Sequence, residues 1–359
     1  MSEDYRGRML PARVTIHDVA RAAGVSVATV SKVANGRYGV AQNTIAKVSA
    51  VIDELGYETS LVARSLRSHR TNVIGILVAG FEPFSTELLK GISAAAVGSG
   101  YELLAYAGAL TDEARVGWER RSLSRLAGTL VDAAIIVTPT VQVAGAPVPI
   151  VAIDPHTGLG DVPAVDTDNA EGARIATRYL ISLGHRRIAH VRGRGDLQSA
   201  LLREQGYRES LAEAGIAFDP DLVREGAYWG KPTTRAAQEL LSLPDRPTAI
   251  FAANDLSAVR VLDVAREMGI RVPEELSIVG FDNVPESATS TPQLTTVAQP
   301  LHDMGAQALQ MVVQMLRRGE LEQQYVHLPA HLVVRQSTAP APSPAAIADA
   351  QSRAASQAV

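Results

Sequence analysis

The chain has 359 residues, 46% of them hydrophobic, and a formal net charge of −4 at pH 7. The length predicts about two or three domains with sizeable cores, and the apolar content excludes a wholly disordered protein. Because the sequence contains no cysteine, disulfides, zinc–thiolate sites, iron–sulfur clusters and cysteine nucleophiles are all excluded.

The charge is unevenly distributed along the chain. Residues 1–70 contain 10 Lys or Arg and 6 acidic residues, whereas residues 71–359 contain 24 and 32, so the two net charges are +4 and −8. A basic end beside an acidic body favours a polyanion as the partner of the basic end. An ordinary fluctuation in composition gives the same numbers, so charge alone leaves the partner open.

The sequence predicts neither a membrane segment nor a secretory signal. No stretch approaches the roughly 18 apolar residues of a membrane helix, and residues 1–13 lack the apolar core of a signal peptide. We therefore expect a cytoplasmic protein that has no membrane partner.

The first two predicted helices form a pair joined by a tight turn. Thr15 and Asp18 have the spacing of a capping box in front of a helix over 16–23. Gly24 can adopt the positive φ angle that a tight turn requires, after which Ser26 can cap a second helix. A third helix is predicted further on, over about 42–55, with its apolar residues on one stripe.

A helix, a glycine turn and a second helix are the geometry of a helix-turn-helix, whose second helix enters the major groove of DNA. Here that helix covers 27–34, and its first side chains are short. Apolar ones suit thymine methyl groups, a lysine can donate to guanine, and hydroxyl groups can contact phosphates. The predicted DNA contacts are Val27, Ala28 and Lys32 to bases and Ser26, Thr29, Ser31 and Asn35 to phosphates, together with Thr15 and Thr44. A small helical bundle with solvated hydroxyl groups gives the same pattern, so shape alone leaves this open.

From residue 72 the chain alternates short apolar runs with stretches of helix length. The runs are VIGILVAG, YELLAYAG, DAAIIVTP, PIVAID, RIAHVRG, AIFAAND and LSIVGFD. This alternation predicts βαβ units and parallel sheets, and thus an α/β body. The segments that follow VIGILVAG and RIAHVRG are weakly similar to each other, which favours two lobes.

Polar side chains follow several of these runs, at the ends of strands where open parallel sheets bind ligands. They are Asp154, Asn254, Asp255, Asp282 and Asn283, and Arg203 lies in the helix after another strand. Carboxylates, amides and a guanidinium can bind sugar hydroxyls, while aromatic rings stack on sugar faces. For any one of these residues the commoner role is to cap the next helix, so a ligand site depends on their convergence.

Two stretches near the start resemble a known family. VTIHDVARAAGVSVATVSKVANG is similar to the opening of lactose-repressor-family (LacI/GalR) transcription regulators, and TIAKVSAVIDELGYETSLVARSLRS is similar to their third helix and hinge. GHRRIAHVRG, AANDLSAVRVLDVAREMGIRVPEELSIVGFDNVPES and LTTVAQP follow in the family's order, so the resemblance reaches about residue 338. It implies a small all-α helix-turn-helix domain followed by an α/β, two-lobed, type I periplasmic-binding-protein-like domain with parallel sheets.

The resemblance also implies the domain boundaries. The segments are a DNA-binding domain with a flexible start (1–59), a hinge helix or linker (60–71), an effector-binding and dimerisation domain (72–338) and a disordered Ala/Pro tail (339–359). Within the third segment, lobe 1 comprises about 72–168 and 298–330, and lobe 2 about 169–297 and 331–338.

Specific residues acquire expected roles from the resemblance. Leu66, with Ala63 beside it, is the apolar wedge that the hinge pushes into the minor groove, which bends the duplex. Two wedges from a homodimer imply a near-palindromic operator in double-stranded DNA. The expected effector contacts are Phe84, Asp154, Arg203, Asn254, Asp282 and Gln299, with Trp229 as the stacking ring. Tyr228 is the alternative ring, and the sequence leaves the choice open.

The sequence thus predicts a homodimeric repressor of carbohydrate-utilisation genes whose operator affinity is switched by a small sugar-like effector, a mono- or oligosaccharide. Induction and corepression both fit. The alternatives are a non-sugar ligand or a phosphocarrier-protein corepressor and, more remotely, a sugar-binding protein or an α/β enzyme. Because the chain has no phosphate loop, nucleophile elbow or HExxH motif, we expect no catalytic activity, no cofactor and no metal.

Overall fold

The computed structural model describes residues 14–34, 38–57, 70–108, 117–143, 145–158, 160–228 and 230–343. The chain divides into two compact units, Met1–Thr71 and Asn72–Val359. In its described residues the first unit is helical, whereas the second contains two largely parallel sheets with helices packed on them.

The described residues of the first unit form three helices at the predicted positions. They are α1 (Ile16–Ala23), α2 (Val27–Ala34) and α3 (Gln42–Leu55). The carboxylate of Asp18 accepts hydrogen bonds from the Thr15 N–H at 3.0 Å and the Thr15 hydroxyl at 2.6 Å. Gly24 has a φ of +63°, which lets α1 end in a tight turn. The helix-turn-helix prediction is therefore confirmed.

Side-chain caps differ between the helices of this unit. Ser26 Oγ accepts the Thr29 N–H at 3.1 Å and so caps α2. Ala41 precedes α3 and makes no side-chain cap. The three helices bury a small apolar core of Val19, Ala20, Ala23, Val30 and Val48.

The second unit begins its first sheet at residue 73. Its described residues form twelve strands: β1 (Val73–Val78), β2 (Glu102–Ala107), β3 (Ala133–Val137), β4 (Ile150–Ile153), β5 (Ala164–Thr167), β6 (Ile188–Arg192), β7 (Val223–Glu225), β8 (Ala249–Ala252), β9 (Ser277–Asp282), β10 (Thr295–Ala298), β11 (Tyr325–Leu328) and β12 (His331–Val333). The first sheet has the order β11-β5-β4-β3-β1-β2, and the second has the order β12-β10-β9-β8-β6-β7. All pairs are parallel except β10 with β12.

Helices cover both sheets. They are α4 (Pro83–Ala96), α5 (Trp118–Leu126), α6 (Asn169–Ser182), α7 (Gln198–Glu213), α8 (Gly230–Leu241), α9 (Asp255–Glu267), α10 (Pro285–Thr289) and α11 (Leu301–Arg318), with a short 3₁₀ helix at Pro220–Leu222. Because both faces of a parallel sheet are buried, its strands are continuous apolar runs. The six residues of β1 are all buried, for example.

The chain passes between the two sheets three times. It enters the second sheet after β5, returns to the first through α11 after β10, and enters the second again between β11 and β12. Packing of α11 against α4 and β4 makes this late helix part of the first lobe. We call the parts built on the first and second sheets lobe 1 and lobe 2.

The seven predicted strand runs correspond to β1, β2, β3, β4, β6, β8 and β9, so the predicted two-lobed α/β fold is confirmed. The other five strands were not predicted. They have only three or four residues each.

The disordered tail was predicted to begin too early. Ala339 donates its N–H to Ser277 Oγ at 3.0 Å, and Ala341 donates its N–H to the Leu183 carbonyl at 2.8 Å. These partners belong to lobe 2 and fix residues 339–341, because their polar backbone groups are satisfied there. Residues 344–359 lie outside the described part of the chain.

Across the described ranges, no helix combines the length and the apolar character that a membrane span requires.

Candidate functional site

Helix α2 presents the predicted base-reading side chains unequally. Ala28 and Lys32 are exposed, as is the capping residue Ser26. Val27 is half-buried because it packs against the core of the first unit, which leaves only part of this side chain for a base contact. The surface of α2 therefore offers one methyl group and one ammonium group at the positions expected to face DNA.

The predicted phosphate-contacting residues are partly engaged within the protein. The hydroxyls of Ser26 and Thr29 lie 2.9 Å apart and bond to each other. Thr15 is exposed, with its hydroxyl donated to Asp18, while Ser31 and Thr44 are half-buried. Asn35, Ala63 and Leu66 lie outside the described residues.

Lobes 1 and 2 line a cavity of about 660 Å³, within the range of small-molecule sites. Five of the predicted effector contacts line it: Phe84 on α4, Asp154 after β4, Arg203 on α7, Asn254 after β8 and Asp282 at the end of β9. Gln299 is not among the residues that line the cavity. It contacts the lining residue Asp282, because its Nε2 donates to Asp282 Oδ1 at 2.7 Å. Trp229 lies outside the described residues, whereas the alternative ring, Tyr228, lines the cavity.

Arg203 is held rigidly in the cavity wall. Only 3% of it is exposed. Its Nε donates to Asn169 Oδ1 at 2.8 Å, its Nη1 donates to the carbonyl of Ala253, and its guanidinium carbon lies 3.8 Å from the centre of the Phe281 ring. The planar guanidinium of Arg203 is therefore fixed by three contacts, and its remaining N–H groups point in a defined direction. This favours ligands whose acceptor atoms match that direction.

Asp282 is the carboxylate closest to this guanidinium, with Oδ1 3.7 Å from Arg203 Nη1. Burial raises its pKa to about 7, and the neighbouring carboxylate of Asp154 adds to the rise, while Arg203 and the amide of Gln299 oppose it. The side chain can therefore exchange between a protonated donor and a charged acceptor near neutral pH.

Helix capping accounts for part of the predicted set. Asn254 caps α9 by accepting the Ser257 N–H at 3.0 Å, and it also lines the cavity. Asp255 and Asn283 do not line the cavity. Asp255 accepts from the Thr296 hydroxyl at 2.5 Å and the Val284 N–H at 2.9 Å, and Asn283 accepts from Arg335 at 2.6 Å.

Sequence reasoning missed a chain of polar groups that joins the lobes across the cavity. His156 follows β4 in lobe 1, and its Nδ1 lies 3.1 Å from Ser199 Oγ of α7 in lobe 2. Ser199 Oγ in turn lies 3.0 Å from the Tyr228 hydroxyl, and the backbone N–H of Gln198 donates to the His156 carbonyl at 3.0 Å. Burial lowers the pKa of His156, so the imidazole is neutral at pH 7. Its position two residues after Asp154 was the available signal.

Aromatic and hydroxyl groups that were also missed complete the wall on the lobe 1 side. Phe81, Trp118, Thr138 and Thr140 line the cavity together with Phe84. Glu119 fixes Thr140, because its Oε1 accepts the Thr140 hydroxyl at 2.8 Å. The cavity thus combines aromatic faces with fixed donors and acceptors, which suits a small polar ligand with apolar faces.

Two known families match separate parts of the chain, one within each of the two compact units. Residues 15–60 match the family described as bacterial regulatory proteins, lacI family. Residues 177–338 match the periplasmic binding protein-like domain.

Similar proteins match nearly the whole chain. The HTH-type transcriptional repressor PurR of Photobacterium profundum is 32% identical over 334 residues, which are 90% of this chain and 98% of that protein. The structure of the transcriptional regulator CelR in complex with cellobiose is 33% identical, covers 90% of this chain and 100% of its own, and gives a TM-score of 0.68. The lac repressor dimer bound to operator and the anti-inducer ONPF is 28% identical, covers 91% and 99%, and gives a TM-score of 0.78.

Proposed function

Because this chain belongs to the lacI family of bacterial regulatory proteins, we propose that it is a sequence-specific DNA-binding repressor of carbohydrate-utilisation genes. A small sugar-like effector switches its affinity for the operator. The protein acts in the cytoplasm as a homodimer on a near-palindromic site in double-stranded DNA.

The observation that carries the effector part is the meeting of Asp154, Arg203, Asn254 and Asp282 in one cavity. Carboxylate oxygens accept from sugar hydroxyls, and guanidinium and amide N–H groups donate to them. The ring of Phe84 offers an apolar face on which a pyranose can stack. The cellobiose complex of a similar regulator supports a sugar as the ligand class.

The DNA part rests on the first unit. Exposed Ala28 and Lys32 lie at the start of α2 and one turn later, where a helix-turn-helix reads base edges. The net charge of +4 on residues 1–70 favours binding to a polyanion. A similar repressor is known as a dimer bound to operator, which supports the homodimer and, by symmetry, the near-palindromic site.

The coupling of effector binding to DNA binding follows from the position of the ligand between the lobes. Asp154 follows a strand of lobe 1, while Arg203 and Asp282 belong to lobe 2, so a ligand that binds all three favours one relative position of the lobes. The ligand can change the DNA affinity only to the extent that it binds one relative position of the lobes more tightly than the others. Either sign of the response fits this mechanism.

The test uses the full chain. DNA that binds it is selected from a random-sequence pool, and its affinity is measured by fluorescence anisotropy while mono- and disaccharides are titrated. A change of at least about tenfold in DNA affinity with a sugar supports the proposal. If only a non-sugar metabolite or a phosphocarrier protein changes the affinity, the sugar part is wrong, and if no DNA is selected, the regulator itself is wrong.

A further inference from the structure

One donor in the cavity wall has no acceptor. Trp118 is 1% exposed and lines the cavity, and its Nε1 is buried without a hydrogen-bond partner in the described part of the protein. A buried indole N–H normally has a partner, because an unpaired one loses its bond to water without replacement. Because Trp118 also lines the cavity, a ligand bound there can supply the missing acceptor.

The indole cannot easily turn away to find another partner. A Cβ on Gly108 would lie 2.6 Å from Trp118 Cε3 and 2.5 Å from Ser122 Oγ, so only glycine allows this close approach. Ser122 Oγ also donates to the Trp118 carbonyl at 2.9 Å. The edge of the ring that packs on Gly108 lies opposite Nε1, so this packing holds the ring while leaving the donor on its other side.

The size of the cavity indicates how much ligand it takes. Cavities of about 300–1,000 Å³ hold drug-sized ligands, and the value of about 660 Å³ lies in the middle of that range. A disaccharide is of that size, whereas a monosaccharide has half as many atoms. The polar residues Arg203, Asn254 and Asp282 all belong to lobe 2, so one sugar ring can contact them and leave the aromatic wall of lobe 1 for a second ring.

We propose that Trp118 determines effector specificity by donating its Nε1–H to an oxygen of a second pyranose ring, so that the site selects disaccharides over monosaccharides. This inference rests on the proposed sugar effector and deepens it. The first ring lies among Asp154, Arg203, Asn254 and Asp282. The second lies against Phe84 and Trp118, where the ring faces are apolar and the single indole donor fixes the orientation.

Calorimetric titration of the full chain with cellobiose, maltose and lactose, and with glucose and galactose, tests the size preference. We expect at least one disaccharide to bind about tenfold or more tightly than either monosaccharide. Trp118→Phe, which keeps an aromatic ring but removes the donor, should weaken that disaccharide about tenfold and leave monosaccharide binding within twofold. Tyr179→Phe is the matched control, because it removes a hydroxyl that bonds Thr338 outside the cavity, and it should change neither affinity.

A second readout does not depend on the variant folding. The chain has two tryptophans, so ¹⁵N-tryptophan labelling gives two indole signals, and the Trp118 signal should move downfield when the disaccharide is added. Equal binding of mono- and disaccharides, an unaffected Trp118→Phe variant or an unmoved Trp118 signal would overturn the inference while the sugar effector stands. If none of the five sugars binds, both the inference and the sugar effector are wrong.

Discussion

Arg203 Nη1 lies 3.7 Å from Asp282 Oδ1, and their side chains are only 3% and 7% exposed. Charges that are buried this deeply are stable only when each is compensated by the other and by hydrogen bonds. Asn169, Ala253 and Gln299 supply those bonds. The proposed effector site therefore includes a polar cluster that also holds lobe 2 together.

The first prediction separates these two roles. Arg203→Ala leaves Asp282 without its cation and Asn169 without its donor, so it should lower the free energy of unfolding by about 3 kcal/mol. Asp282→Asn keeps an oxygen that can accept from Gln299, so it should cost less than about 1 kcal/mol at pH 7. Urea denaturation of the full chain measures both values. Equal losses for the two variants would contradict the assignment of Arg203 as the structural partner.

The second prediction concerns pH. Because burial raises the pKa of Asp282 from 3.8 to about 7, the folded state keeps a proton between those values that the unfolded state has lost. The free energy of unfolding therefore falls as pH rises from about 4 to about 7 and levels off above that range. Asp282→Asn lacks this contribution, so its stability relative to wild type should rise over the same window by about 1 kcal/mol or more.

Urea denaturation at pH 5 and pH 8 checks this difference. Burial also raises the pKa of Asp166 to about 6, but this carboxyl is present in both proteins and cancels in the comparison. Burial and the charge of Asp282 raise the pKa of Asp255, so the difference between the two profiles reports on the Asp255–Asp282 pair. Parallel pH profiles for wild type and Asp282→Asn would show that Asp282 titrates in its ordinary range.

The third prediction tests the polar chain between the lobes. His156→Ala removes the 3.1 Å contact with Ser199 but keeps the backbone bond from Gln198. The loss of one hydrogen bond across the cavity should weaken binding of the best sugar ligand by about 1 kcal/mol, which is about fivefold in Kd. Ser182→Ala, which removes a hydroxyl bonded to Tyr179 on the exposed side of α6, is the control. An unchanged Kd for His156→Ala would mean that this contact does not stabilise the liganded arrangement.

The fourth prediction concerns the caps of the first unit. Ser26→Ala removes the acceptor for the Thr29 N–H and should destabilise α2 by about 1 kcal/mol. Ala41→Ser should instead stabilise α3 by about 0.5–1 kcal/mol. Residue 41 has extended backbone (φ −64°, ψ 144°) and no side-chain cap, so a serine hydroxyl there can supply the missing cap. Hydrogen exchange of the full chain, read at the amides of α2 and α3, measures both effects. Faster exchange in Ala41→Ser would contradict the capping argument.

Some elements were predictable from the sequence because their signals are local. Capping side chains mark the starts of α1 and α2, and glycines mark the ends of α1 and α3. Uninterrupted apolar runs mark strands such as β1 and β3. The strands that were missed are short, and several carry polar residues, as in AVDT of β5 and VRE of β7. They form strands only because neighbouring strands supply hydrogen-bonding partners. These partners are distant in the sequence, so a short stretch of residues does not reveal them.

The residues of the candidate site also fall into those that the sequence predicts and those that it does not. Asn254 and Asp282 lie at the ends of neighbouring strands of the second sheet, and Asp154 follows a strand of the first. A cleft at the carboxyl ends of the strands of two lobes therefore predicts that they meet. His156 and Trp118 come into the cavity through contacts between distant segments, such as Trp118 against Gly108. Trp118 has no spacing or neighbour in the sequence that distinguishes it from an ordinary core residue, and the local signal for His156 is its position two residues after Asp154.

The fifth prediction addresses the central claim, that a sugar bound between the lobes controls DNA binding. The measurement is a fluorescence-anisotropy titration of selected DNA with wild type and Asp282→Asn, each with and without the tightest-binding disaccharide. Both proteins should bind the DNA with the same affinity, because the substitution lies outside the first unit. The disaccharide should change the affinity of wild type about tenfold or more and leave that of Asp282→Asn unchanged. A response of Asp282→Asn equal to that of wild type, or DNA binding by wild type that no sugar alters, would contradict control of DNA binding by a sugar between the lobes.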